Sequence, residues 1–312
     1  MSLDQAVPLV TGKPVHRPDN VRGIVMMALA FALFAASDAQ VKLLTSEFHP
    51  VQIVWTRQLG LLSGVIVLLM VKGTAVLSTS HLGLQLIRGM LAVTSAAAFI
   101  FGLKYVPLAD AVSVTFLAPL LVTIFSALLL KEKVGPRRLI AVAIGFIGTL
   151  IVIRPGFGQV HPAVMLVVLA ATAFALRQVV SRLLASSDKT ATTVAYTAIA
   201  SFAMLSLPLA MFWQTPETGG QIALLAGMAV SAALGELMVI KALEVAEASV
   251  VTPMHYTLIL WATLYGWLLF AQLPDMWTWV GAAIIVATGL YIMNRERMLR
   301  RASRTSAGES GS

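Results

Sequence analysis

Residues 108–138 read LADAVSVTFLAPLLVTIFSALLLKEKVGPRR. The first 23 of these carry one charged side chain, Asp110, and the next eight carry Lys131, Glu132, Lys133, Arg137 and Arg138. About 20 mostly apolar residues are what a helix needs to cross a bilayer. A basic cluster at the end of such a run marks the side of the membrane on which it stays. Pro119 inside the run removes a backbone donor and predicts a kink at membrane depth.

The same pattern fills the chain. Apolar runs between polar or Pro/Gly breaks fall at 23–44, 51–71, 83–103, 108–130, 137–153, 161–182, 192–213, 221–242, 249–271 and 277–293. Hydrophobic residues make up 58% of the 312 and charged ones 12%, against about 45–50% and 25% in a soluble domain. One globular core cannot bury that excess, whereas lipid tails accept it from every direction. The fold class expected is all-α integral membrane, ten transmembrane helices arranged as two inverted five-helix repeats. There are no cysteines, which excludes disulfides and thiolate metal sites. The polar lead, with Pro8, Pro14 and Pro18, lacks the short apolar core and small-residue site of a cleaved signal. Residues 1–21 are read as a cytoplasmic tail, and 294–312 as a basic, disordered one.

With the first residues inside, sixteen lysines and arginines fall in cytoplasmic segments and two, Lys104 and Arg154, in outer loops. That bias puts both termini in the cytoplasm. The net charge of +8 is therefore a topology signal. Spread along membrane edges, it argues against nucleic acid as a partner.

A constant shift of 140 residues superposes the halves. Phe34-Ala35 falls on Phe174-Ala175, Lys42-Leu43-Leu44 on Arg182-Leu183-Leu184, Leu103 on Leu243, and Thr123 on Thr263. The connection Lys131–Arg138 falls on Ala271–Thr278, which carries Asp275 and no lysine or arginine. Five spans per half make the second half enter the membrane in the opposite sense. The units are 22–154 and 161–293. Inverted repeats recur in secondary transporters, because the two halves exchange roles as access alternates. Duplication kept for packing alone is the competing reading.

Several stretches together resemble the EamA-type ten-helix members of the drug/metabolite transporter superfamily over about residues 22–293. They are Ala36-Ser37-Asp38-Ala39-Gln40-Val41-Lys42, Gln52-Ile53-Val54-Trp55-Thr56-Arg57, Leu103–Ala111 running into Phe116-Leu117-Ala118-Pro119-Leu120, and Leu130-Lys131-Glu132-Lys133 ahead of Gly145 and Gly148. An Asp-Ala pair followed by Lys in the first span is similar to a bacterial subgroup that includes riboflavin and S-adenosylmethionine uptake proteins. Gln272 departs from the pattern, standing where a Glu matching Glu132 is usual. The resemblance implies gradient-driven or facilitated transport without ATP across a bacterial inner membrane. Riboflavin or a similar planar heterocycle is the first choice of cargo. S-adenosylmethionine uptake and amino-acid or metabolite export are the alternatives.

Ionisable side chains inside spans cost about 2.5–3.5 kcal/mol each and usually face a cavity or a partner. Asp38, Lys42, Arg57, Arg88, Arg177 and Glu236 are so placed. Asp38 and Lys42 stand four apart in the favourable order for a helix-face pair. Lys42, near the outer end, can also snorkel. Asp38 reads either as a cation-responsive carboxylate or as a structural acid holding Lys42 or an arginine. Arg57 and Arg88 lie within reach of headgroups. Glu236 is expected to pair with Arg88 or Arg177 in one access state.

Pro253 kinks span nine beside His255 and Tyr256, which offer hydrogen bonds and a flat face. Phe34, Trp55, Tyr256, Trp261 and Trp267 can stack on a planar ligand, while Trp213, Trp277 and Trp279 suit the outer interface. Runs such as Thr94–Ala98 and Gly281-Ala282-Ala283 suit close helix packing. No catalytic residues, cofactor or metal ligands are read. A membrane enzyme is disfavoured because nucleotide-binding loops, HExxH and a usable serine elbow are missing. A channel is disfavoured because the charges form no ring. The partners expected are a small-molecule substrate and the lipid bilayer, with a homodimer compatible.

Overall fold

The computed structural model describes residues 19–309 apart from 132–134, 155–160, 186 and 247, without the side chains of 138, 248, 249, 252, 296, 297 and 299–309. The described residues are helical, with short connections. The elements are α1 (Asn20–Leu44), α2 (Pro50–Lys72), α3 (Leu82–Leu103), α4 (Leu108–Thr115), α5 (Ala118–Leu129) and α6 (Pro136–Ile153). They continue with α7 (Val164–Leu184), α8 (Thr190–Phe212), α9 (Gly219–Val245), α10 (Ala248–Val251), α11 (Leu258–Phe270) and α12 (Met276–Glu309). Tight 3₁₀ turns occupy Thr74–Leu77 and Thr252–Thr257.

These elements make ten spans. Eight, counting α4 and α5 together, are long and apolar enough to cross a membrane; α6 is a shorter apolar helix, and the remaining span is α10–α11 with its 3₁₀ turn. Large apolar side chains line the outside, Met70 at 81% and Leu207 at 84% exposure among them. Only lipid makes such a belt tolerable.

The helices end where local chemistry stops them. Asp19 caps α1 by accepting from the Arg22 amide, and Thr218 with Gln221 forms a capping box on α9. Lys131 and Ala271, 140 residues apart, both adopt the left-handed conformation just after α5 and α11. The expected disordered tail from Asn294 is not what forms: α12 continues to Glu309. Its Arg, Glu, Met, Leu and Ala residues are good helix formers.

The 140-residue shift holds in three dimensions. It carries α2 onto α8 (50–72 onto 190–212), α3 into α9, α5 onto α11, and α6 onto the membrane part of α12. Packing follows the same rule. The pair α1–α9 maps onto α7–α3 and the pair α5–α7 onto α11–α1, while α2–α8 and α6–α12 map onto themselves. A self-mapping pair lies on the pseudo-twofold axis that relates the halves, as in inverted-repeat carriers.

Alternation of the ten antiparallel spans puts Asn20, Lys72, Leu129, Leu184 and Val245 on one face, called the near face, and Leu44, Leu103, Ile153 and Phe270 on the far face. The hydrogen bond from the Asp19 amide to the Val245 carbonyl (2.9 Å) ties near-face ends together.

The axial pair α6–α12 packs backbone to backbone. A Cβ at Gly281 would stand 2.6 Å from the Gly148 carbonyl oxygen, and one at Gly148 would stand 3.0 Å from that of Gly281. Gly281→Val should therefore lower stability by about 1–3 kcal/mol, read as a drop in Tm in detergent. An unchanged Tm would show that the two helices separate freely.

Candidate functional site

Pro119 shapes the first break. It lacks an N–H, and its ring displaces the carbonyl four residues back, that of Thr115. Phe116 and Leu117 therefore sit in a tight turn, with amides bonded three residues back to Ser113 (3.3 Å) and Val114 (3.0 Å). Pro253 does the same in the second half, where Thr252–Thr257 is 3₁₀. Regular α-helix is interrupted next to both prolines. The shift of 140 places Phe116 on Tyr256, and the two rings meet, centroids 5.2 Å apart at 60°.

A strip of rings grows from that crossing. His255 stands edge-on to Phe31 (4.7 Å) and Phe116 (5.6 Å), and Phe31 touches Phe34 (6.0 Å). Tyr256 reaches α12, where its hydroxyl occupies the space a side chain at Gly289 would fill. The repeat equivalents reverse this pairing: Phe116 has no hydroxyl, and Thr149 has a side chain. Sequence reasoning reached His255 and Tyr256 through Pro253 but passed over Phe31 and Gly289. It quoted Phe116 only within a motif, although the 140-residue shift already aligned it with Tyr256.

The charges are deployed differently from expectation. Asp38, 6% exposed, binds Arg57 (Oδ1 to Nη1, 2.8 Å) and not Lys42. Lys42 turns away toward the far face and donates to the carbonyls of Leu103 (3.1 Å) and Val106 (2.5 Å), with its ammonium 5.6 Å from the Phe270 ring. The helix-face pair does not form because the carbonyl at the end of α3 and that of Val106 in the following connection lie within reach of the long side chain. Arg57 is likewise bound to Asp38 rather than free for headgroups.

Trp55 donates to Ser206 (2.9 Å) and packs on Phe202 (5.1 Å), so it belongs to the α2–α8 contact and stands apart from the ring strip. Arg88 is no headgroup anchor. It reaches across to α7 and α8, donating to Ser181 (2.7 Å), the Thr193 carbonyl (3.1 Å) and the Thr197 hydroxyl. Arg177 lies over the Phe174 ring at 4.7 Å. Glu236 forms no ion pair within 4.0 Å with either arginine among the described residues.

On the far face, polar contacts join the two halves. Arg154 bridges to Asp275 (2.5 Å), whose carboxylate also accepts from the Thr278 amide (2.8 Å). The Thr278 hydroxyl donates to Asp110 (3.0 Å). Partial burial pushes Asp275 up, but the Thr278 hydrogen bonds and the Arg154 contact outweigh it and hold the carboxyl below its ordinary value. Asp110, Arg154 and Asp275 line a pocket of about 350 Å³ with Tyr105 and His161, whose rings stack at 4.8 Å. His49 stacks on Phe212 (4.0 Å). Burial there, then the charge of Lys104, holds its pKa below the ordinary value. On the near face, Asp188 accepts from Thr79 (2.5 Å) and Gln85 (2.6 Å).

Two broken spans crossing at the interface of inverted repeats, with rings and few charges around them, define a membrane carrier. The chain belongs to the EamA-like transporter family, whose profile matches twice, over residues 21–154 and 161–295. It is 27% identical over 278 residues to an S-adenosylmethionine uptake transporter of Rickettsia felis, covering 88% of this chain and 93% of that one. It is 35% identical over 235 residues to a riboflavin transporter of Vibrio cholerae, covering 74% and 78%. It is 27% identical over 269 residues to the pseudopaline exporter CntI of Pseudomonas aeruginosa, covering 85% and 93%. A crystal structure that shares 18% identity superposes with a TM-score of 0.58, covering 89% of this chain and 98% of that one, and shows the same fold.

Asp38→Asn should destabilise the protein by about 3–5 kcal/mol, because it leaves the Arg57 charge without its partner. Asp38→Asn with Arg57→Gln should recover most of the loss in Tm. Equal Tm values for the single variant and the parent would mean that the pair contributes nothing. Gly289→Ala should displace the Tyr256 ring and lower stability by about 1–3 kcal/mol, read as a drop in Tm. Tyr256→Phe, which removes the atom in the way, should suppress much of that loss. Additive effects would place the Gly289 clash elsewhere.

Proposed function

We propose that this carrier takes up riboflavin, or a small metabolite with a similar planar heterocycle, by alternating access across a bacterial inner membrane. One observation carries the reading: the ring strip Phe34, Phe31, His255, Phe116 and Tyr256 lies where the broken spans cross. Flat aromatic surfaces in offset or edge-on contact suit a flat ring. A fixed site at a repeat interface suits exposure to each side in turn. The similarity to the Vibrio cholerae riboflavin transporter supports the same cargo.

Units 22–154 and 161–293 act as the two moving bodies, and residues 1–21 and 294–312 are cytoplasmic tails. With the termini inside, the far face is extracellular. Opening it requires Lys42 to leave its carbonyls and the Arg154–Asp275–Thr278–Asp110 chain to part. The chain performs no chemistry on its cargo, and a homodimer is compatible with the axial helices remaining internal.

A second reading, S-adenosylmethionine, is favoured by relatives that match 88% of the chain and by the opposed charges of Arg177 and Glu236, which suit an amino-acid end. The test is counterflow in proteoliposomes. Unlabelled riboflavin inside should accelerate entry of labelled riboflavin by about an order of magnitude over empty vesicles, with the label recovered unaltered. Entry without trans-stimulation would indicate a channel, and altered label an enzyme. Failure to rescue a riboflavin auxotroph despite confirmed membrane expression would remove riboflavin as the cargo.

A further inference from the structure

Three charges share one level of the near-face half, where the α3–α7 pair faces the α1–α9 pair. Arg88, Arg177 and Glu236 lie six, seven and nine residues from the near-face ends of α3, α7 and α9. That is roughly 9–14 Å deep at 1.5 Å per residue. Arg88 is committed, with three hydrogen bonds to Ser181, Thr193 and Thr197. Arg177 is not: its Nε is buried and has no hydrogen-bond partner. Glu236 acts electrostatically on both guanidinium groups, yet no ion pair within 4.0 Å joins it to either.

That arrangement is costly as it stands. A buried donor without an acceptor is unfavourable, and a direct bond from Glu236 would relieve it. The two groups are instead held apart on different helices: Arg177 lies against a ring, and Glu236 is exposed on α9, one residue beyond a buried glycine that packs on a ring. Arg177 lies on Phe174, its partner three residues back along the same helix face. Glu236 follows Gly235, whose missing side chain lets the Phe34 ring pack against α9, with ring carbons 3.0 and 3.1 Å from where a Cβ would stand. Phe34 and Phe174 are repeat equivalents, so the two rings come from opposite halves, while Arg177 and Glu236 both belong to the second and have no charged counterparts at Ser37 and Ala96.

We infer that Arg177 and Glu236 grip the polar edge of the cargo. Arg177 Nε–H donates to an acceptor on the cargo, and Glu236 accepts from a donor beside it. The ligand class is therefore a small molecule with adjacent acceptor and donor groups next to a flat surface. Two sources fit: the imide edge of a fused ring (carbonyl beside N–H), or an amino-acid end (carboxylate beside ammonium). This inference rests on the transport reading above and names the chemistry that the same carrier selects.

The experiment uses the full chain, purified and reconstituted, with riboflavin and lumichrome as imide probes and S-adenosylmethionine and methionine as amino-acid probes. Arg177→Met should weaken binding of the accepted probe about a hundredfold, the loss of a charged donor. Glu236→Gln separates the sources. The amide oxygen still accepts from an imide N–H, so an imide probe should lose about tenfold or less, whereas an ammonium probe should lose about a hundredfold.

Without any probe, Glu236→Gln should stay within about 2 °C of the parent Tm, and Arg177→Met, which removes the buried unpartnered donor, should hold or raise it. The inference is overturned if the singles leave binding of a transported probe unchanged. It is also overturned if each single lowers Tm and the double variant restores it, because that coupling identifies a structural ion pair. The Tm arm is read whether or not any probe is transported, so loss of the named cargo and loss of this inference give different results.

Discussion

The constraint on which everything else depends is that a peptide group in hydrocarbon must find its hydrogen bond inside the protein. It makes every span a helix, and it makes any break in a helix expensive unless other parts of the protein surround it. Among the described residues two such breaks interrupt spans, each beside a proline, Pro119 and Pro253. Both are turned inward, and the inverted repeat brings their rings together at Phe116 and Tyr256. The irregular backbone thus lies where the two halves meet, which is where a carrier needs polar groups and room.

A second consequence concerns charge. In lipid an isolated ionised side chain is expensive, so each one must be matched. Asp38 and Arg57 match each other, Lys42 takes two carbonyls, and Arg88 takes two hydroxyls and a carbonyl. Once those are accounted for, Arg177 and Glu236 stand out as charges that no ion pair within 4.0 Å engages among the described residues. The far face is closed by polar contacts between elements of both halves, such as Arg154 with Asp275 and Asp110 with Thr278. Contacts of that kind exchange partners at modest expense, unlike the backbone contact of Gly148 with Gly281. The axis is therefore joined by close backbone contact, and the far face by polar side chains.

Much of this was legible in the order of residues. The ten spans, the 140-residue repeat and the breaks beside Pro119 and Pro253 all depend on properties local to the chain: apolar length, a constant shift, and a missing N–H. Local spacing also offered Lys42 as a helix-face partner for Asp38, beside the alternative of an arginine, and the structure takes the arginine. Arg57 competes for Asp38 from another helix, and the carbonyls of Leu103 and Val106 compete for Lys42. Trp55 was grouped with the stacking rings because its residue type allows it, but α8 lies against that face of α2 and holds it.

The sequence by itself determined that this chain lives in lipid, crosses it ten times, and does so as two inverted halves, because burial of apolar length and the pseudo-symmetry of the spans are one-dimensional facts. It also carried the resemblance to the EamA-like family. Only the tertiary structure decided which charge meets which, that Gly289 makes room for the Tyr256 hydroxyl, and that Arg177 is left with a free donor. A side chain in a helix of this bundle has several neighbours from distant parts of the chain, and the nearest partner wins whatever its sequence number. Sequence spacing ranks partners along one helix; the packing of α1 on α9 and of α3 on α7 decides among all of them.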